Sequence, residues 1–285
     1  MAEWNVDGPY EIELAGVTRA IVRIIDGDVA VVAGEGPSKL EIGRVKGAPL
    51  RVGICDGVLE IRHDLGLHRK WYRDLPPAFL RKTDLSLRLP AGTPVRVETV
   101  SGGITMAGPG TEISLATLNG EIVMEGAGPR VTAKTVSGEI IASRCHGEVQ
   151  LETVSGEITM ITDMEAVDAV LSSVSGAITL GLEGERDKAG LDVELSTASG
   201  KVVANPPEDG RPGPVPLPFS PAGKKAIGVM LREPCDGGSQ VQVRGFTVSG
   251  KVALVVRADD KAGAGPLGTG RSDGEPLRAG AEDGA

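Results

Sequence analysis

The chain writes nearly the same six-residue phrase seven times. It reads Thr99-Val100-Ser101-Gly102-Gly103-Ile104, then Thr117-Leu118-Asn119-Gly120-Glu121-Ile122 and Thr135-Val136-Ser137-Gly138-Glu139-Ile140. Thr153-Val154-Ser155-Gly156-Glu157-Ile158 and Ser173-Val174-Ser175-Gly176-Ala177-Ile178 follow, and the last copies are Thr197-Ala198-Ser199-Gly200-Lys201-Val202 and Thr247-Val248-Ser249-Gly250-Lys251-Val252. The first four glycines are spaced by 18 residues, and the next three gaps are 20, 24 and 50. A fixed period of this kind is the signature of stacked supersecondary units, each unable to bury its apolar side alone.

One period, residues 131 to 148, predicts the content of a unit. Val131-Thr132-Ala133-Lys134-Thr135-Val136 alternates as a strand, Ser137-Gly138 turns, Glu139-Ile140-Ile141-Ala142-Ser143 is a second strand, and Cys145-His146-Gly147 turns again. Aromatic residues are only 2% of the 285 positions, so the core must be built of Val, Ile, Leu and Ala. Such residues suit thin layers of strands. The expected fold is therefore all-β, a β-solenoid (β-helix-like) of about 18-residue repeats with a β-rich N-terminal cap region. Two aliphatic columns are expected to run through the stack. One is Ile104, Ile122, Ile140, Ile158, Ile178, Val202 and Val252; the other is Val100, Leu118, Val136, Val154, Val174, Ala198 and Val248. The turn column Gly102, Gly120, Gly138, Gly156, Gly176, Gly200 and Gly250 is expected at positive φ, cheap only for glycine. The preceding Ser or Asn is expected to bond a turn amide through its side chain, and the Thr column to form a strand-end ladder.

Three segments are expected along the chain. Residues 1–84 form a β-rich region in which Asp26-Gly27-Asp28 and Cys55-Asp56-Gly57 look like hairpin turns. Its end, 64–84, is a loop broken by Pro76-Pro77. Residues 85–257 form the solenoid, with a Pro- and Gly-rich insertion at 204–223. Residues 258–285, almost free of large apolar side chains, are expected to be disordered.

A strand ending in Leu89-Pro90-Ala91-Gly92-Thr93-Pro94 leads through Val95-Arg96-Val97-Glu98 into the first copy of the phrase. This run, followed by the repeated T-V-S-G-x-I units, closely resembles the DUF4097 family of adhesin-like bacterial repeat proteins over residues 85–256. The resemblance implies a β-solenoid and carries over no catalytic residues.

A net charge of -9 and a pI near 5.0 argue against a nucleic-acid partner. Three dispersed cysteines without a CxxC fit a reducing compartment. The acidic N-terminus has no apolar leader region, and no apolar run reaches bilayer length. A cytoplasmic location without an integral membrane segment is the expectation.

Each candidate site has a plainer counterpart. Seven equivalent Ser-Gly pairs without a GxSxG elbow read as turns, not nucleophiles. Glu121, Glu139 and Glu157 share one column, which reads as an acidic stripe, with a bridging cation as the alternative. His63, His68 and His146 lack metal-ligand spacing, and Cys145-His146 stands alone. No cofactor is expected. Arg69, Lys70, Trp71, Tyr72 and Arg73 form a basic aromatic cluster that reads as a cap over a solenoid end or as a partner contact. The expected function is a non-enzymatic scaffold or protein-binding module, a monomer or small oligomer. The alternatives are a polysaccharide-acting β-helix enzyme and a regulatory partner in an envelope-stress system.

Overall fold

The computed structural model describes residues 2–47, 49–63, 82–163, 165–184, 189–205, 215–219, 226–233 and 239–258. The cluster Arg69, Lys70, Trp71, Tyr72 and Arg73 and the tail 259–285 lie outside the described residues.

Every copy of the phrase is one corner of a two-strand coil. The strand before it joins one sheet, sheet A, and the strand after it joins a second, sheet B. The strands run in chain order through the two sheets. First come β1 (Ala2–Val6), β2 (Tyr10–Glu13), β3 (Arg19–Asp26), β4 (Val29–Gly34), β5 (Lys39–Lys46), β6 (Leu50–Cys55), β7 (Val58–His63) and β8 (Lys82–Pro90). The regular coils are β9 (Val95–Ser101) and β10 (Ile104–Ala107), β11 (Ile113–Asn119) and β12 (Ile122–Glu125), β13 (Arg130–Ser137) and β14 (Ile140–Ser143), β15 (Gly147–Ser155) and β16 (Ile158–Thr162), and β17 (Val167–Ser175) and β18 (Ile178–Gly184). After them come β19 (Ala189–Ser199), β20 (Val202–Ala204), β21 (Val215–Phe219), β22 (Ala226–Glu233), β23 (Ser239–Ser249) and β24 (Val252–Ala258). The solenoid expected from the repeat is thus what the chain forms: two long, mostly parallel sheets of short strands.

The register keeps equivalent residues level. Thr99, Thr117, Thr135 and Thr153 pair in one row, and Ile104, Ile122, Ile140 and Ile158 in another. Side chains alternate across each strand, so Val131, Ala133 and Thr135 point between the sheets while Thr132, Lys134 and Val136 point out. The core is one continuous aliphatic slab, to which sheet B contributes Ile122, Met124, Ile158, Met160 and Leu180.

Stacking order departs from chain order at both ends. The last copy, β23–β24, sits between β17–β18 and β19–β20. At the other end β3–β4 sits between β7–β8 and β9–β10. The 50-residue gap before the last copy follows from this route. After β20 the chain forms β21 at the edge of sheet A and then β22, antiparallel to both β21 and β19, before β23 takes a place one layer inward. Pro216 and Pro218 lie opposite Val229 and Ile227. Lacking N–H groups, they must turn their nitrogens away from β22, so the outer edge of β21 offers no donor at either position and resists further pairing. At the N-terminal end the antiparallel strands β1 and β6 close sheet A, and β2 and β5 close sheet B.

Three expectations need correction. Asp26-Gly27-Asp28 is not a hairpin turn, because β3 and β4 belong to different sheets. It is an eighth, diverged copy of the corner, with Ile24 level with Thr99, Asp26 with Ser101 and Val29 with Ile104. Cys55-Asp56-Gly57 does end a hairpin, β6–β7, with Asp56 and Gly57 at φ 51° and 78°.

The second correction concerns the glycine column. Of the seven, only Gly102 and Gly138 lie in the positive-φ range that side chains rarely adopt, at 127° and 157°, the second close to extended backbone. The shared requirement is steric: a Cβ on any of the seven would fall on the main-chain carbonyl oxygen of the neighbouring coil's glycine. The Ser/Asn column acts through its main chain, its carbonyls accepting from glycine N–H groups at 3.0–3.3 Å, as in Gly102 to Asn119 and Gly138 to Ser155.

Third, the Val100 column is not core. Val100, Leu118, Val136, Val154, Val174 and Val248 are between 42% and 50% exposed, whereas Thr99, Thr117, Thr135, Thr153, Ser173, Thr197 and Thr247 beside them are buried. Strand parity decides this. With Val95 and Val97 facing in, residue 99 must face in and residue 100 out.

Candidate interaction surfaces

Two sheet faces and the corner that carries the repeated phrase run along the stack, and their chemistry differs. Outward positions of sheet A carry Arg96, Glu98, Lys134, Glu152, Asp192 and Arg244. Most of these charges are paired across neighbouring strands: Arg23 with Glu98 at 2.9 Å, Lys134 with Glu152 at 2.8 Å, Arg130 with Glu148 at 3.1 Å and Arg232 with Asp192 at 3.0 Å. Burial acts to raise the Glu98 pKa, but hydrogen bonds from Arg96 and Arg23 outweigh it and hold the carboxyl below its ordinary value. This face is mostly a lattice of ion pairs, interrupted by the exposed Val170 and Phe246.

Sheet B turns out a different surface. From β10 to β20 its first outward row reads Thr105, Val123, Ile141, Thr159, Thr179, Ala253 and Val203. The second row is Ala107, Glu125, Ser143, Ile161, Gly181 and Val255. Glu125 is the one charge inside these rows, and Arg144 at the margin pairs with it. At the same margin Arg257 holds Glu183 at 3.2 Å.

Between the faces runs the repeated corner. It presents the exposed aliphatic row from Val100 to Val248, then the Ser and Gly rows, then a row of charges beside face B. In stacking order the charged row is Asp28, Gly103, Glu121, Glu139, Glu157, Ala177, Lys251 and Lys201. Carbonyl oxygens of this row accept from the strand of the coil stacked before it: Ile104 N–H donates to Glu121, Ile122 to Glu139, Ile178 to Lys251 and Val252 to Lys201, all at 2.8–2.9 Å. The glutamates predicted as a stripe are thus in register on successive coils. Glu157 accepts from Thr179 Oγ1 at 3.3 Å. Among the described residues no group of three or more His, Cys, Asp or Glu is placed to hold a metal ion.

A shallow groove of about 450 Å³ opens at the N-terminal end of face B, bordered by Asp28, Glu41, Asp84, Ser86, Thr105 and Glu121. Arg44 holds Asp84 at 2.9 Å and Lys39 holds Glu41 at 2.6 Å. The glutamates Glu41 and Glu11 raise the Lys39 pKa through their hydrogen bonds. The groove joins the consecutive strands β4 and β5 to β8, which is distant in sequence, and this is why the repeat pattern does not announce it.

The remaining titratable candidates are structural. His63 fills the threonine position of its coil. Its Nδ1 accepts from Ile25 N at 3.2 Å, which leaves Nε2–H to face Thr83 Oγ1 at 3.0 Å. Cys145 is buried, and desolvation pushes its thiol up to about 11 despite a backbone hydrogen bond with Ala127 that acts the other way. A thiol so placed is not a nucleophile at neutral pH. His68 lies outside the described residues.

No protein-family model matches the chain. No curated protein matches it. Among solved structures, the chain is similar to a putative cell adhesion protein from Clostridium sporogenes, at 13% identity and a TM-score of 0.32, over 87% of this chain and 99% of that one.

Proposed function

We propose that this chain is a non-enzymatic scaffold that binds protein through the aliphatic row of its repeated corner, as a DUF4097-like module. The observation that carries the reading is the row itself. Val100, Leu118, Val136, Val154, Val174 and Val248 stand about half exposed although the core beside them is already closed. Contiguous apolar surface of this kind marks interaction sites more often than it serves folding. Coils spaced at about 4.8 Å hold the side chains in a rigid line, so binding adds little ordering cost on this side. The chemically capable side chains of the phrase, Ser and Glu, recur in equivalent surroundings, which suits a ladder rather than a single reacting centre.

The test is a photo-crosslinking residue at Val136, compared with one at Thr132 on the solvated face, in the native cell. The expected result is a reproducible protein adduct at Val136 only, lost when Val100 and Val154 become Ser in a chain of unchanged melting temperature. Equal labelling at both positions would remove the ladder as the binding element.

A further inference from the structure

We propose that face B is a self-association surface through which two copies pack with their solenoid axes antiparallel. The inference stands on residues other than the aliphatic corner row. It begins from a contrast in charge. At -9, two copies repel each other in general. Sheet A would bring a charged lattice against itself, whereas the two rows of face B hold one charge, already paired with Arg144. A sheet whose two outward rows hold a single, already paired charge and turn out the partly exposed Val123, Ile141, Ile161 and Val255 is suited to aligned sheet-on-sheet packing.

The charged row along its margin specifies the orientation. That row is acidic toward one end, at Glu121, Glu139 and Glu157, and basic toward the other, at Lys251 and Lys201. The stacking order alone makes it so, because β24 inserts next to β18 and places Lys251 beside Lys201. Among the described residues, Glu121, Glu139, Lys251 and Lys201 have no ion-pair partner within their own chain. A two-fold axis parallel to the strands, passing between β16 and β18, lays this margin against its own copy in reverse. Glu121 then meets the second copy's Lys201, Glu139 meets its Lys251, and Glu157 meets Ala177. Two-fold symmetry makes each contact twice. The reverse arrangement, with axes parallel, sets this margin against the far one and forms none of these pairs.

The overlap spans six strands, β12, β14, β16, β18, β24 and β20. At about 4.8 Å per strand and roughly 13 Å of strand length, it covers about 400 Å² of flat face per copy. With its margins, the total approaches roughly 1,000 Å², the lower bound for a specific interface, so the dimer should be concentration-dependent. The overhang leaves the β4, β5 and β8 side of the groove uncovered, while Glu121 at its border joins the interface.

The experiment is sedimentation velocity on the full chain over a wide concentration range at low and high salt. A reversible monomer–dimer equilibrium weakened by salt is expected. Ile141→Arg with Ile161→Arg should abolish it. Lys201→Glu with Lys251→Glu should weaken it at least about tenfold, as should Glu121→Lys with Glu139→Lys. The four changes combined should restore it, because every facing pair is then reversed rather than removed. Thermal melts confirm that each variant is folded. A wild type that stays monomeric throughout overturns the proposal. A folded charge-swapped quadruple variant that fails to regain the dimer overturns the antiparallel register.

Discussion

Each coil turns two corners, and they obey different rules. At the first, from sheet A to sheet B, backbones of successive coils touch so closely that Gly120, Gly138, Gly156 and Gly176 have no room for a Cβ. At the second, from sheet B back to sheet A, the connections are unequal: Gly108 to Glu112, Gly126 to Pro129, and Arg144 to His146. Gly126 there has φ 67° and open space around its missing Cβ, and the residue level with it one coil on is Arg144 at φ 50°. The repeat visible in the sequence is therefore the imprint of one corner. The other corner also has close backbone contacts, at Gly108 against the Ala33 carbonyl and at Gly147 against the Pro129 carbonyl, but they fall at unequal places from coil to coil, so it keeps open positions such as Gly126 and accepts changes of length.

The largest test breaks the stack itself. Removing residues 239–285 takes away β23–β24, an inner layer with Val241, Val243, Val252, Leu254 and Val256 in the core. At about 1.5–3 kcal/mol per buried side chain, the loss rivals the whole stability of a domain. The expected outcome is loss of the cooperative thermal transition of the C-terminal coils by circular dichroism. Removing only 259–285 takes away no described strand and should leave that transition in place. Direct restacking of β19 on β17, seen as an unchanged transition in the shorter chain, would refute the inner-layer reading.

Next in size is the comparison of the two corners. Gly138→Ala must push two coils apart at a backbone contact, and a loss of about 3 kcal/mol is expected. Gly126→Asn enters a position already held by Arg144 in the next coil, and should cost at most about 1 kcal/mol. Urea titrations of both variants give the difference, and equal costs would erase the distinction between the corners.

The period and the alternation were enough to read the solenoid, its strand pairs and its aliphatic slab from the residues. The parity that puts Thr135 inside was legible too, in Val131 and Ala133, but polarity argues the other way and Val136 reads as core. Parity wins because a strand cannot rotate one residue without rotating all of them. The stacking order was not legible. Columns such as Ile178, Val202 and Val252 are the same set whichever layer lies between, so Lys201 and Lys251 were visible without being recognised as neighbours. The contrast between the two faces became readable only once each strand had been assigned to its sheet. The basic aromatic cluster, Arg69 to Arg73, lies outside the described residues and carries no structural reading.

A finer test compares two members of the buried threonine row. The hydroxyl of Thr135 is buried without a hydrogen-bond partner, whereas that of Thr247 donates to the Gly176 carbonyl at 3.2 Å. Thr→Val keeps the shape and removes the hydroxyl. At Thr135 it should raise stability by up to about 1 kcal/mol, and at Thr247 it should lower stability by about the same amount, since a buried polar atom costs free energy only when unpaired. Opposite shifts in melting temperature check this, and shifts of the same sign would mean that hydroxyl pairing does not distinguish the coils.

The smallest effect asks whether the irregular second corner is also a closed one. Cys145 lies in it at 1% exposure, its thiol pushed up to about 11 by burial, while Cys55 at the tip of the β6–β7 hairpin is exposed. At pH near 8 the Cys145 thiol stays protonated, and its sulfur is covered as well. Iodoacetamide followed by peptide mapping should therefore modify Cys55 and leave Cys145 untouched until the protein unfolds. Raising the pH toward 11 without unfolding should begin to label Cys145 only if reagent can reach it. Continued protection there means that packing, not ionisation, guards the thiol. Rapid labelling of Cys145 at pH 8 would mean that the second corner opens in the native state, and its tolerance of varied length would then reflect loose packing rather than a closed but unevenly stacked turn.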